Sequence, residues 1–499
     1  MRKRLTKQDC AELRAQISNL GYGQAEAESG DLFARRLHPV PEHLRALDPN
    51  VVLVVGPRGS GKSELFSAFF SENDDLGDAI MRYAPGSAGF QIRSSSAEWK
   101  RAHPSGTAFP DDRALAQHID SDSTARALWY VMLVRTLADK LDSNHRSHLD
   151  PVVRPVAADL GAVLKAEREL SVNPTAALDM LEKRLEEAGR WIFVGYDELD
   201  TLGGFDWQLM SRLVRGLIAF WSDYSRRWRR IRAKIFLRSD LFRRHANMGT
   251  ADFAKLAATR AELIWSDTAI LGMLVKRIAN TSESLADYCR GARLSFERDS
   301  TLGLLPKVER PDNAHALLER FSGEYMGAEK KKGYVRNWVL DHLRDGNGQV
   351  SPRTLVRLYE QAALKEAPNR TLSPPRLLHP AALRQALDDV SQDHVTQAIS
   401  SEWPWLEGVR ERIGKQRLVP WSRNQIVAML GADWDRPWAS SHRGNVWPPE
   451  ERPGRLVDYL VELGVFRNRP GDRIDVPDPY LQGLNLRRKG GVSRRAPVS

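Results

Sequence analysis

Val51-Val-Leu-Val-Val55 runs without a break into Gly56-Pro-Arg-Gly-Ser-Gly-Lys-Ser63, and Glu64-Leu-Phe-Ser-Ala-Phe-Phe70 follows. The apolar, β-branched run has the pattern of a parallel strand buried on both faces. The octet has the spacing G-x-x-x-x-G-K-S, and the residues after it read as the start of an amphipathic helix. Strand, glycine loop and helix in that order build a phosphate cradle. Gly56, Gly59 and Gly61 let the backbone curl into a nest of N–H groups, at positions where a side chain would crowd the ligand. The helix start adds partial positive charge. Lys62 brings a point charge to the β- and γ-phosphates, and the Ser63 hydroxyl is placed to ligate magnesium. Pro57, Arg58, Ser60 and Glu64 complete the nucleotide-binding stretch. ATP and Mg2+ are the expected ligands.

Hydrolysis also needs a carboxylate near the metal and a group that orients water. Arg190-Trp-Ile-Phe-Val-Gly-Tyr-Asp-Glu-Leu-Asp200 supplies an apolar strand over 191–194 that ends in acids. Asp197 is expected on the magnesium with Ser63, and Glu198 on the attacking water. Asp200 is open between this site and a cap on the next helix. The interval from Lys62 to Asp197 is longer than a minimal phosphate-loop domain needs, which implies an insertion. Helical apolar spacing over 113–141 and 174–187 predicts a helical insertion at about 100–189, beside one further strand near 89–93.

Composition bounds the rest. The chain has 499 residues, too many for one core, and 42% of them are hydrophobic, as in an ordinary soluble protein of about three units. No apolar run approaches the roughly 18 to 20 residues that cross a bilayer, so no membrane partner is expected. The basic start Met1-Arg-Lys-Arg-Leu5 leads into polar Thr6-Lys-Gln-Asp9 rather than the apolar stretch of a signal peptide, and a cytoplasmic protein is predicted. Cys10 and Cys289 stand far apart, which argues against a disulfide framework and a zinc site. The net charge of +10 suits a polyanionic partner and equally an Arg-rich composition.

Downstream, 233–242 reads as a strand ending in Arg238, Ser239 and Asp240, and 258–266 as a short strand preceded by Arg260. Phosphate loop, acid-ended strand, polar-ended strand and an arginine before the last strand together resemble the AAA+ ATPases. The Leu237-Arg-Ser-Asp240 ending is similar to their signal-transduction branch, the STAND ATPases, and to related bacterial defence-associated P-loop ATPases. The resemblance spans residues 50 to about 360 and is carried chiefly by the two nucleotide motifs. It implies an α/β fold: a P-loop NTPase, AAA+-like parallel-sheet core with the helical insertion, an α-helical lid and a C-terminal winged helix. It also implies ATP hydrolysis, Arg238 as a γ-phosphate sensor, and Arg260 as an arginine finger on a neighbouring subunit's nucleotide. A homo-oligomer or an effector or partner protein follows from that. Motor-type members more often carry Asn or Thr where Arg238 stands, which points away from a motor.

Residues 265–277 have helical spacing and open the lid, which continues through 334–343. Ser351 then reads as an N-cap and Pro352 as the first helical residue, and similar lids carry a second sensor arginine at such a start, here Arg353. The expected division is an N-terminal segment 1–48, a core 49–265, a lid 266–367, a linker and helical segment 368–415, and a winged-helix-like domain with a basic tail, 416–499. Helices over 421–430 and 454–463, then two strands around Pro470-Gly471, carry the winged-helix reading. Arg467, Arg469 and Arg473 on the hairpin suit phosphates of DNA or RNA, as does the basic tail 487–495. Asp458 and Glu462 on the preceding helix would repel them, so a protein contact is favoured. Tyr22 is open between stacking on adenine and ordinary surface packing. The function expected is an ATP-binding, ATP-hydrolysing switch controlling oligomerisation or partner activation, in antiphage defence or signalling. A DNA-handling ATPase of the initiator or transposition-regulator kind is the alternative, and a nucleotide-dependent binding module with negligible turnover the third.

Overall fold

The apolar run at 51–55 becomes strand β1 (Leu53–Gly56), joined in one sheet by β2 (Ala97–Arg101), β3 (Trp191–Tyr196), β4 (Ile231–Arg238) and β5 (Ala261–Glu262). The order is β2-β3-β4-β1-β5 and every pair is parallel. The acid-ended strand β3 is thus one place removed from the loop strand β1, with β4 between them. This is an α/β P-loop NTPase fold. The computed structural model describes residues 5–21, 30–71, 74–84, 96–102, 109–153, 159–170, 175–204, 206–245, 251–366, 372–414, 416–441 and 444–489.

Two compact units share the chain. The sheet belongs to the unit formed by 23–269 and 296–307. Its central strands are buried along their length because side chains alternate between two cores. Val52, Leu53 and Val55 lie in one core with the insertion helices, and Val51 and Val54 in the other with Phe66 and Phe69. Gly195 in β3 allows close approach, since a Cβ there would sit 2.3 Å from the Phe70 ring.

Two buried basic side chains in β4 hold the segment that leads into β1. Lys234, 0% exposed, donates from Nζ to the carbonyls of Asp48 at 2.5 Å and Val51 at 2.7 Å. Arg232 donates from Nε to the Pro49 carbonyl at 2.7 Å.

The expected helix over 113–141 is two helices, Asp112–His118 and Asp122–Thr136. The break comes at Asp120-Ser121-Asp122, where Ser121 caps the second helix by accepting from the Thr124 N–H at 3.3 Å. A local hydroxyl partner for an orphan N–H outweighs continued apolar spacing there. The strand expected near 89–93 lies outside the described residues, and the described strand between the two motifs is β2. The sequence reading missed a hairpin, β6 (Phe296–Asp299) and β7 (Gly303–Pro306), whose Leu302 and Leu305 join the Val54 core.

The other unit comprises 1–22, 270–295 and 308–499 and is mostly helical. The helix Lys7–Ile17 docks there through Arg14, whose Nε donates to the Leu377 carbonyl at 2.8 Å. Its C-terminal part contains short strands β8 (Leu418–Val419), β9 (Trp421–Ser422), β10 (Ala439–Ser441), β11 (Gly444–Val446), β12 (Arg467–Arg469), β13 (Arg473–Asp475) and β14 (Arg487–Arg488). β12, β13 and β9 form one antiparallel sheet, against helices Leu406–Ile413, Arg423–Gly431 and Pro453–Glu462. The succession there is helix, strand, two helices and hairpin, with β10 and β11 between the second and third helices. The helix expected from 421 begins two residues later. Trp421 and Ser422 form β9, and Ser422 and Gln425 make a capping box that starts the helix at Arg423. No helix among the described residues is long and apolar enough to cross a membrane.

Candidate nucleotide site

The loop between β1 and helix Lys62–Phe69 turns on Gly59 at φ +72° and Gly61 at φ +91°, both in the left-handed region. A Cβ on Gly56 would lie 2.4 Å from Ser60 Oγ and 2.9 Å from Leu263 Cβ, so the loop admits no side chain there. Lys62 Nζ lies back over the loop, donating to the carbonyls of Gly56 at 3.1 Å and Pro57 at 3.0 Å. Ser60, 3% exposed, buries a hydroxyl with no hydrogen-bond partner. A concave, glycine-shaped turn with an ammonium over it and an unused hydroxyl within it fits a polyphosphate.

β3 ends at this loop. Asp197 is 4% exposed, with the Ser63 hydroxyl and the Glu198 N–H close by. Burial pushes its carboxyl above the usual carboxylate range; those two donors and the charge of Lys62 work against the shift, and Asp200 adds to it. A carboxylate held beside a serine hydroxyl and disfavoured as a bare charge fits a divalent cation, which would be held by Ser63 and Asp197. Glu198 follows at φ 57°, ψ 28°, a left-handed conformation that costs a non-glycine residue about 1 kcal/mol or more. Such strain is a recurrent feature of functional turns.

Arg238 ends β4 beside β1, in register with Gly56. It is 4% exposed and bonds Asp240 twice, Nε at 3.0 Å and Nη2 at 2.6 Å, while Nη1 reaches Asp200 Oδ2 at 3.2 Å. Asp200 is therefore an ion-pair partner of Arg238. The guanidinium joins the ends of β3 and β4, next to the loop that β1 carries. Arg260 precedes β5 and is bound by its own unit: Nε donates to Glu262 at 2.7 Å, Nη1 to the Ala257 carbonyl at 2.7 Å, and the group lies 4.9 Å from the Phe242 ring centroid. Arg353 belongs to the other unit, in the first turn of helix Pro352–Lys365, with Nη1 at 3.4 Å from Gln397 Oε1. Ser351 precedes that helix with extended backbone but makes no side-chain cap bond. Pro57, Arg58 and Glu64 lie on the loop and the first helical turn. Tyr22 lies outside the described residues.

No family model matches the chain, and no curated protein does. Among solved structures, Cdc6p from Pyrobaculum aerophilum is similar at 10% identity and TM-score 0.29, over 92% of this chain and 97% of that one. The Aeropyrum pernix ORC2 protein, in ADPNP-ADP complexes, is similar at 14% and 0.30, over 94% and 98%. The Aeropyrum pernix ORC1 protein, in complex with DNA, is similar at 13% and 0.31, over 91% and 94%. Likeness at that level says nothing of what this chain binds or does, so the functional reading is built on its own residues.

Two residues at the loop escaped the sequence reading. Trp265 Nε1 donates to the Ser60 carbonyl at 2.8 Å, and His43 packs edge-on against that indole, with ring centroids 4.8 Å apart. Neither sits in a motif. The sequence reading placed Trp265 in the strand expected over 258–266 and at the opening of the lid, whereas it lies three residues beyond β5 and two before the helix Asp267–Ala279.

Proposed function

We propose that this chain is an ATP-binding and ATP-hydrolysing switch of AAA+ type, acting in the cytoplasm. The observation that carries the proposal is that the Ser63 hydroxyl lies near enough to the Asp197 carboxylate to favour its ionised form, which unites two motifs distant in sequence around one phosphate-sized turn. In this reading the loop from Gly56 to Ser63 cradles the polyphosphate, and Lys62 leaves the Gly56 and Pro57 carbonyls for the phosphates. A magnesium ion on Ser63 and Asp197 supplies charge neutralisation, and Glu198 orients water. Arg238 senses the terminal phosphate by exchanging Asp200 for it, and Arg353 acts as a second sensor from a lid at 266–367. Arg260 serves a neighbouring subunit's nucleotide after releasing Glu262. The output is assembly with further copies or activation of a partner protein, in the defence or signalling setting that the STAND-like ending Arg238-Ser-Asp240 implies.

Calorimetry of the full chain should show saturable heat on adding ATP with magnesium. The same sample should release phosphate and gain native mass. Folded protein that takes up no nucleotide overturns the proposal. Uptake without phosphate release leaves a binding module with negligible turnover, and turnover at constant mass removes the assembly and the trans role of Arg260.

A second reading, a DNA-handling ATPase, is favoured by the charge around Asp475. This carboxylate, 3% exposed, accepts from Arg467 Nη2 at 2.9 Å, Arg469 Nη2 at 2.8 Å and Arg488 Nη1 at 3.0 Å. Burial opposes its ionisation, but hydrogen bonds from Arg467 and Arg469 and the charge of Arg488 hold its carboxyl below the usual range. Arg488 also pairs with Asp478, so three guanidiniums on two carboxylates leave one excess positive charge, with the arginine side chains 35%, 45% and 38% exposed. The repulsion expected from Asp458 is reduced because Arg423 pairs with it. A labelled duplex should therefore bind at low salt. Arg467→Ala and Arg469→Ala should each lower the slope of log K against log salt by about one. Absence of low-salt binding returns the module to a protein partner.

A further inference from the structure

We infer that Trp265 is a positioning residue for the phosphate loop, a role that rests on the nucleotide reading above. Its indole Nε1–H donates to the Ser60 carbonyl at 2.8 Å. That carbonyl and the Gly61 N–H belong to one planar trans peptide, so the two groups point in opposite directions. A donor that fixes the carbonyl on the β5 side therefore fixes the N–H on the opposite, concave side, where phosphate oxygens are bound. The Gly61 N–H is also among the orphan donors of the helix that starts at Lys62.

This peptide needs fixing more than its neighbours do. It lies between Gly59 at φ +72° and Gly61 at φ +91°, and glycine can take either sign of φ at little cost. Rotation of the 60–61 peptide plane would turn its carbonyl toward the phosphates and its N–H away. The indole bond selects the orientation that binds an anion, which lowers the ordering cost when the ligand arrives.

The tryptophan is held in turn. His43 packs on it edge to face at an interplanar angle of 79°, and the His43 Nε2 lies 2.9 Å from the Ile264 carbonyl. Burial lowers the pKa of His43, with the Ile264 carbonyl and Glu42 opposing. The imidazole is therefore neutral at physiological pH, with Nε2–H donating to Ile264. Leu263, two residues before Trp265, donates its N–H to the Val55 carbonyl at 2.7 Å and packs on Gly56. The chain beyond β5 thus contacts the loop at both of its ends. It leaves this unit after residue 269, so the bond to Ser60 ties the loop's conformation to the segment by which the chain exits.

The test replaces Trp265 by the isostere that carries sulfur in place of the indole N–H, β-(3-benzothienyl)alanine, with Trp265→Phe as the genetically simpler companion. With ATP and magnesium, KM should rise about three- to tenfold for the isostere, the value of one neutral hydrogen bond. Its kcat should stay within about twofold of wild type, because the Gly61 N–H binds ground state and transition state alike. The nucleotide-free isostere protein should melt no more than a few degrees below wild type, the cost of one part-buried hydrogen bond. Unchanged KM in the isostere, or a fall in kcat with a larger loss of melting temperature, overturns the positioning role while leaving the ATPase reading intact. Wild-type protein that neither binds nor hydrolyses ATP overturns both.

Discussion

Asp197→Asn is expected to melt at a higher temperature than the wild-type chain without nucleotide, and to hydrolyse ATP about 100- to 1000-fold more slowly, the usual cost of removing one positioned electrostatic group. The two effects share a cause. Burial pushes the Asp197 carboxyl upward, against the nearby Glu198 N–H and Ser63 hydroxyl and the charge of Lys62. Its folded pKa therefore lies above the unfolded value of about 3.9. With that sign the folded state binds the proton more readily, so this group's contribution to stability improves as pH falls through the folded pKa and is least at neutral pH. Asparagine keeps the shape and removes the charge, so it should relieve that cost. The melting-temperature gap between variant and wild type should close as pH is lowered toward the carboxylate range. Differential scanning calorimetry across that range, with phosphate release beside it, measures both. A variant that melts lower than wild type at neutral pH shows that attraction to Lys62 outweighs burial, and unaltered turnover takes Asp197 off the metal.

Lys234→Met should cost about 1–3 kcal/mol, the value of a buried carbonyl left without its donor. Methionine nearly matches the length of the stem, so little cavity opens. The Asp48 carbonyl retains the Val51 N–H at 2.9 Å, which leaves the Val51 carbonyl as the group that suffers. The pH dependence is opposite in sense to that of Asp197. Burial and Arg232 depress the Lys234 amine well below its ordinary value, with Asp48 opposing. Between the depressed value and about 10.4 the unfolded chain binds the extra proton, so the wild-type chain gains stability as pH rises through that window. The methionine variant lacks that gain, and its deficit in denaturant midpoint should widen toward alkaline pH. A deficit that shrinks instead would mean that the native amine is charged and held by its carbonyls.

The parts of the site that are local in sequence were legible. Residues 51–63 pack a two-face-buried strand, three glycines and a helix start into one stretch, and 191–198 joins an apolar strand to two acids. Each pattern has a single physical solution, and the sheet places both at the same edge. The relation of β3 to β1 was not readable, because the intervening strand β4 comes after both motifs in the chain and its place depends on pairing rather than composition. Trp265 and Ser60 are 205 positions apart, and no periodicity reports that contact. The partners of Asp475 were hidden in the same way, since Arg488 reaches it from a strand, β14, that forms only by pairing with β8. Other misses did leave a signal. Asp299-Ser-Thr-Leu-Gly303 is a turn cluster between two short strands, and Asp120-Ser121-Asp122 is a helix-start signature inside an apolar periodicity.

The hairpin at 296–306 also bears on how the molecule can be divided. The backbone passes between the two units at 22/23, 269/270, 295/296 and 307/308. No single protease nick or terminal truncation can therefore release either unit whole, and a fragment ending at 269 lacks Leu302 and Leu305, which fill the core beneath Val54 and Phe66. Inheritance by simple domain shuffling is closed to this core as well: a recombination event that moved residues 30–269 into another chain would leave an apolar hollow under its phosphate loop.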